Sequence, residues 1–351
     1  LGLVDGYTQL PYARIGFPVN QDLGWEITRM TNVGLDVSLL ANRVSFSFDY
    51  YKKNISDLLL SLPINATYGW TNLYYNAGTL QAHGVDLGLT AELIRAKDFK
   101  WSAIDNYGYN TNKVTETRFQ PQTITGTAIT YGYAVDNIWV YRWAGLDNLG
   151  RSQIYDGKGN IKPSTDNNIV TEDRVAAGRT VAPHFGGFTN TFTYKGWTLM
   201  ARATYNLGHK FLIQNISQGL YPTSGSYSGI IGNNAAIVDR WRKPGDEAFT
   251  NVPGLSNVNV NSVTRYINSD LNIRNAGQIR LQQVSLTYAL PSSMLRSLPF
   301  IKGVNLGATV SNLGLIWVAN KEGIDPDYQM TSMFNNLPPT RNYVFNLNLT
   351  L

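Results

Sequence analysis

The sequence predicts an all-β protein: a transmembrane antiparallel β-barrel wall with short turns at one rim and long loops at the other. Three observations predict it. Nine segments alternate apolar and polar side chains with period two. The connections between them alternate strictly between short and long. Charged residues make up only 15% of the chain while aromatics reach 12%, against roughly 25% charged in an ordinary soluble protein.

Residues 1–20 read as an extracellular loop segment, and 21–351 read as barrel wall with its loops. The first strand sets Val33, Leu35, Val37 and Leu39 against Asn32, Gly34, Asp36 and Ser38. After a turn at 41–43, Val44, Phe46, Phe48 and Tyr50 oppose Ser45, Ser47, Asp49 and Tyr51, which makes a hairpin. The third strand sets Val85, Leu87, Leu89, Ala91 and Leu93 against Asp86, Gly88, Thr90 and Glu92; His83 falls just ahead of it. A turn at 95–98 leads into FKWSAIDNYGY, whose alternation is weaker. GFTNTFTY and WTLMARATY follow, separated only by Lys195 and Gly196, with Arg202 among the polar residues. QIRLQQVSLTYAL slips in parity near Gln282 and Gln283, the mark of a bulge. VNLGATVS and the final NYVFNLNLTL complete the set.

The short connections are 41–43, 95–98, 195–196 and 291–303; the long ones are 55–78, 111–183, 207–277 and 312–341. Transmembrane barrels sort their loops this way, with short periplasmic turns and long extracellular loops. Several strands approach the ~9–11 residues that cross a bilayer at a tilt. Phe99, Trp101, Tyr194 and Trp197 sit near short turns, and Tyr50, Tyr107, Tyr205 and Tyr343 toward long loops. Two such belts of amphipathic rings belong at the two membrane interfaces. A soluble sheet with one buried face gives the same alternation, but it leaves the loop sorting and the low charge unexplained. An open sheet in lipid leaves backbone groups unpaired at several kcal/mol each. The expectation is therefore a chain that starts within a longer protein, whose earlier strands complete the wall.

Other classes are disfavoured. There are no cysteines, which rules out disulfides and thiolate metal sites. No run of 18 apolar residues offers a membrane helix. The three histidines, His83, His184 and His209, stand far apart, and no metalloprotease, nucleophile-elbow or phosphate-loop spacing occurs. Asp156, Gly157, Gly159 and Asn160 in YDGKGN read as a hairpin turn. Asp325 and Asp327 in GIDPDY read as a turn around Pro326 in preference to a calcium site. The net charge of +5 comes without a basic cluster, so no nucleic-acid partner is expected. No catalytic residue, metal or cofactor is expected, and the protein is not read as an enzyme.

Five stretches carry a family resemblance: WEITRMTNVGLDVSLLANRVSFSFDYYKKNISDLLL (25–60), YRWAGLDNLGRSQIYD (141–156), IRLQQVSLTYALP (279–291), GIDPDY (323–328) and PPTRNYVFNLNLTL (338–351). Together they resemble the C-terminal half of SusC/RagA-type TonB-dependent outer-membrane transporters of Bacteroidota. The resemblance implies a barrel of about 22 strands around a plug, with these nine as its last. It implies active import of oligosaccharides or peptides across the outer membrane, a SusD-like surface lipoprotein as a lid, and TonB acting through a plug domain that this chain does not contain. Two other readings stay open: a passive porin-like pore, and a surface or assembly component that kept the barrel without transport.

The loops supply candidate ligand-binding or lid-contacting residues. They are Trp70, Tyr74 and Tyr75 in YGWTNLYY, Trp139, Tyr141, Arg142 and Trp143 in IWVYRW, and Trp241 and Arg242 in RWRKPGDE. Aromatic faces can stack on sugars or peptide side chains, and arginine can hold carboxylates. The alternative is that the rings pack the loops together, since loops this long need a core of their own. On the ligand-binding reading, replacing Trp139 and Trp241 by alanine weakens ligand affinity and spares membrane insertion. Asp36, Asp49, Asp86, Glu92 and Arg202 fall on the polar strand faces, the side expected to face the lumen and plug.

Overall fold

The computed structural model describes residues 3–4, 6–12, 19–118, 125–213, 235–255, 258–296, 300–328 and 338–351. Residues 1, 2, 5 and 13–18 of the expected first loop segment lie outside them. Nine long strands form one sheet: β1 (Ile27–Leu39), β2 (Val44–Ser56), β3 (Gly78–Arg95), β4 (Phe99–Thr117), β5 (His184–Tyr194), β6 (Trp197–Leu207), β7 (Gln278–Ala289), β8 (Gly303–Val318) and β9 (Asn342–Thr350). They neighbour one another in chain order, and every pair is antiparallel. β1 and β9 are the two edges and do not pair with each other, so both are exposed on both faces.

The register shows why the alternation matters. One cross-strand row reads Leu35, Phe48, Leu87, Tyr107, Gly186, Tyr205, Ile279. The next row reads Asp36, Ser47, Gly88, Asn106, Gly187, Thr204, Arg280. A slip of one residue would exchange the two faces throughout. The two buried apolar clusters, one around Val252, Val263 and Tyr266 and one around Phe211, Ile213 and Ala276, both lie in the long loops. The apolar face of the wall therefore carries its side chains outward without a protein core to cover it, as a sheet solvated by lipid does.

The turns fit their lengths. Lys195 and Gly196 have φ of 44° and 86°, the pair of left-handed residues that lets a two-residue turn follow the strand twist. The bulge falls at Gln282: the β7–β8 register shifts between Leu281 and Gln283, and the Gln282 amide donates to Thr204 Oγ1 at 2.9 Å. At Gly186 a Cβ would stand 2.0 Å from the Asn106 carbonyl oxygen. The Tyr205 ring folds over that position and its hydroxyl donates to the same carbonyl at 3.2 Å, a cover that only glycine permits.

The aromatic rims are visible in the same rows. Phe99, Tyr194, Trp197 and Tyr288 stand side by side at the short-turn end, with the Trp197 and Tyr288 rings 4.4 Å apart. Tyr107, Tyr109, His184 and Tyr205 gather toward the long loops, and the Tyr107 hydroxyl lies 2.7 Å from His184 Nδ1. From Phe99 to Tyr107 the strand rises about 27 Å at ~3.4 Å per residue, enough for a tilted strand to carry most of an apolar band about 25 Å tall. β3 and β4 run to 18 and 19 residues, well past that need. Along that extra length one face turns polar, with Lys52 opposite His83 and His83 opposite Thr111, while the other carries Leu80 opposite Val114. His83 is thus inside β3, not ahead of it.

Candidate functional site

The long connections fold into a layered unit at one end of the wall. In loop 118–183 the strand Asn137–Leu146 is the centre of a small sheet, flanked by Arg174–Arg179 on one edge and, at successive stretches of the other edge, by Gly126–Thr127 and Ser152–Tyr155. Ile161–Pro163 adds the outer strand. In loop 208–277 the helix α1 (Val260–Ile267) is capped by Asn259, whose side chain accepts from the Ser262 amide, the ordinary N-cap bond. The two loops are joined through the backbone: the Tyr141 amide donates to the Asn268 carbonyl at 2.8 Å, and the Trp143 amide donates to Asp270 Oδ1 at 3.0 Å.

Several candidate aromatics are used inside this unit. Trp139 is 5% exposed. Its indole donates to the Ala128 carbonyl at 3.1 Å, its face carries the Arg174 guanidinium at 4.0 Å, and Tyr133 meets it edge-on. Tyr141 is buried, and burial pushes its hydroxyl pKa up. Arg142 donates to the Asp156 carbonyl at 3.0 Å and stands over the Tyr155 ring. Trp143 packs edge-on against Tyr266 and donates to Asn251 Oδ1. Trp241 is 6% exposed; its ring lies over Gly150 and Gly254, and its indole donates to Glu247 Oε2 at 2.9 Å. Arg242, its neighbour, is exposed. The third stretch sits elsewhere, on the hairpin Leu59–Pro63 and Asn72–Asn76. There Tyr74 is 52% exposed while Trp70 and Tyr75 are half-buried.

Asp36, Asp49, Asp86, Glu92 and Arg202 all project from the polar face. Asp49 and Asp86 are directly opposite one another, an arrangement of like charges that stabilises nothing by itself. They border a hollow of about 410 Å³ with Asn106, Phe185 and Thr204, floored by Gly88 and Gly108. Glu92 lies near the short-turn end, paired with Arg95.

Two features were not singled out from the sequence. Arg265 is fully buried, donating to the Lys162 and Asp166 carbonyls at 3.0 and 2.6 Å. Arg280, at the loop end of β7, donates to both Asp325 oxygens at 2.6 and 2.8 Å and to Asp327 at 3.2 Å, with Tyr328 below it. Gln278 donates to Asp327 as well. The acidic pair of GIDPDY is therefore held by a guanidinium. Among the described residues no cluster of three or more His, Asp or Glu is placed to hold a metal. The YDGKGN stretch is the expected hairpin turn, with Asp156 accepting from the Lys158 and Asn160 amides.

Residues 4–313 match the family model described as TonB dependent receptor-like, beta-barrel. The chain belongs to that family. It is similar to the TonB-dependent receptor SusC of Bacteroides thetaiotaomicron, at 24% identity over 94% of this chain and 32% of that protein. It is similar also to TonB-dependent receptor P39 of Formosa agariphila, at 26% identity over 88% of this chain and 33% of the relative. The fold matches the RagAB peptide importer in its closed-closed state over 99% of this chain and 38% of that one, with a TM-score of 0.76 and 25% identity. The chain thus spans about a third of the length of these curated relatives. As a TonB-dependent receptor barrel it is an outer-membrane protein, and its lipid-facing side is the apolar face.

One residue of this receptor's loops is expected to respond to pH. His209 Nδ1 is buried with no hydrogen-bond partner among the described residues. Burial lowers its pKa, and the Asp327 carboxylate pulls weakly the other way. A histidine held below its unfolded value of about 6.5 stabilises the fold fully above that value, and the contribution is lost as pH falls through the folded pKa. Amide protection factors in the strand pair Lys210–Leu212 and Ile273–Asn275, with the intrinsic pH dependence of exchange divided out, are expected to fall on acidification from about pH 7.5 to about pH 5. A His209→Gln variant should show a flatter dependence; an identical profile in both proteins removes His209 as the cause.

Proposed function

We propose that this chain forms part of the wall and outer loops of an active importer of oligosaccharides or peptides. In this reading it works with a SusD-like lipoprotein lid and is driven by TonB through a plug domain. The observation that carries the proposal is the match to the RagAB peptide importer across 99% of the chain. The wall residues guide and enclose the ligand and make or break no bonds. Asp36, Asp49, Asp86 and Arg202 face the lumen and plug, and Glu92 stands on the same face toward the periplasmic rim. Tyr74 and Arg242 are the exposed members of the predicted loop set and, with the half-buried Trp70 and Tyr75 beside Tyr74, are the ones that meet ligand or lid in this reading. Trp139, Tyr141, Arg142, Trp143 and Trp241 serve them by holding the loops in shape.

The test is deletion of the whole gene in its native host, followed by growth on single oligosaccharides and peptide mixtures. Loss of growth on one nutrient, restored by the intact gene and abolished again without TonB, is the expected result. Uptake that persists without TonB points to a passive pore. Normal growth on every nutrient alongside a leaky envelope points to a surface or assembly role.

A further inference from the structure

A cleft in loop 208–277 lies between the segment 238–252 and the end of α1. It holds about 670 Å³, inside the range of small-ligand sites. We infer that it binds the carboxylate-bearing part of an anionic oligomer, with Arg240 and Arg242 taking the charge and Phe249 taking the adjacent apolar or ring face. This rests on the import reading above and names the ligand chemistry for it.

Trp241 explains how the cleft is built. Its burial over Gly150 and Gly254 pins the backbone, and its amide donates to the Val252 carbonyl at 2.9 Å. The flanking Arg240 and Arg242 are left to line the opening. The acids of the same stretch are consumed by the turn itself. Asp246 accepts from the Arg242 and Lys243 amides at 3.0 and 3.1 Å. Glu247 accepts from the Trp241 indole and the Gly245 amide, and these bonds hold its carboxyl below the usual range.

The two guanidiniums keep their charge uncompensated. Arg240 donates to the Ile237 carbonyl at 3.1 Å and Arg242 to the Val238 carbonyl at 2.9 Å. Neither forms an ion pair within the described residues, whereas Arg274 on the opposite wall is already paired with Glu322. Asp239 and Asp246 line the same cleft; Asp246 is turned onto the Arg242 and Lys243 backbone amides, so the side-chain N–H groups of Arg240 and Arg242 are left to a ligand. Each guanidinium still has N–H groups in the fork geometry that a carboxylate accepts. Phe249 stands 91% exposed at the edge of this charge. A single exposed ring is unremarkable on a surface; a ring beside two unpaired guanidiniums and a cleft matches an acidic chain whose units also carry an apolar or ring face. Both a uronate oligosaccharide and a peptide ending in a free carboxylate have that chemistry.

Calorimetry on the full-length protein in detergent separates these sources. The probes are a tetragalacturonate, a tetrapeptide ending in phenylalanine, its C-terminally amidated twin, and a neutral maltotetraose. At least one carboxylate-bearing probe is expected to bind. Arg240→Gln with Arg242→Gln should weaken it about tenfold or more, the loss expected when charge-assisted bonds of ~1.5–3 kcal/mol are removed. Lysine at both positions should restore part of the affinity, Phe249→Ala should weaken it severalfold, and the amidated peptide should bind worse than the free acid. Glutamine removes the charge and keeps a polar side chain, and an unchanged melting curve certifies the loop. The inference is overturned if no carboxylate-bearing probe binds, if only maltotetraose binds, or if the double glutamine variant stays within twofold of the parent. TonB-dependent uptake surviving in that variant would leave the import reading standing while the cleft assignment fell.

Discussion

Replacing Trp139 by alanine is expected to melt the small sheet of loop 118–183 and leave the nine-stranded wall assembled. Trp139 sits in the central strand of that sheet, 5% exposed. Large aromatic-to-alanine truncations in cores cost about 3–5 kcal/mol. The buried Arg174 also loses the ring it stacks on at 4.0 Å, worth about 1–2 kcal/mol where water is excluded. Within the sheet the other buried apolar side chains among the described residues are the smaller Ile138, Val140, Tyr141, Leu146 and Ile154. The wall depends on its own ladder of cross-strand bonds and on lipid, so it should still migrate as a folded, heat-modifiable band. Limited proteolysis should cut within 125–183 in the variant and spare it in the parent. The same argument applies to Trp241→Ala, and the double variant should lose ligand through loop collapse. If binding vanished while 125–183 stayed protected, Trp139 would be a ligand contact after all; phenylalanine at 139 should keep the loop and, on the packing account, the binding.

The wall was legible because lipid and lumen impose one rule on it. Val33 through Leu39, or Tyr343 through Leu349, can be read by eye, since one face meets hydrocarbon and the other meets water. The rule stops where the membrane stops. Beyond Tyr51, Gly84 and Tyr109 the row of Lys52, His83 and Thr111 is polar while Ala82 and Val114 on the other face are buried, so the alternation of the membrane band breaks although the backbone pairing continues. The strands came out longer than the pattern for that reason. Loop strand Asn137–Leu146 failed the opposite way. It is buried on both faces from Asn137 to Tyr141, and a strand covered on both sides reads as an unbroken apolar run.

The candidate site was legible in composition but not in direction. Aromatic density in IWVYRW and RWRKPGDE marked segments that matter, yet a tryptophan facing a core and one facing a ligand look alike in sequence. What separated Trp241 from Arg240 and Arg242 was Gly150 and Gly254, distant residues whose lack of a side chain makes the slot for the ring. The partner of GIDPDY was equally hidden. Arg280 lies in a strand motif about forty-five positions earlier, and only the fold of the intervening chain brings the two together.

That pairing carries the second large effect: Arg280→Leu is expected to release segment 319–328 from the wall. The guanidinium is 10% exposed and Asp325 24% exposed as side chains, so the pair is sheltered enough for its loss to be costly. Removing one partner of a buried pair leaves the other charge uncompensated, at about 3 kcal/mol near this level of burial. Asp327, more exposed at 44%, adds less. Ile324 would leave the cluster of Phe211, Ile213 and Ala276 with the segment, and the Asn320 side chain would lose its bonds to Ile324. New proteolytic cuts near 320–328 and a lower melting temperature are the expected readout. Adding Asp325→Asn to Arg280→Leu should recover part of the loss, because the stranded charge and not the missing contact is the main penalty. If a cation held GIDPDY instead, chelation of the parent protein would loosen this segment and Arg280→Leu would leave it in place.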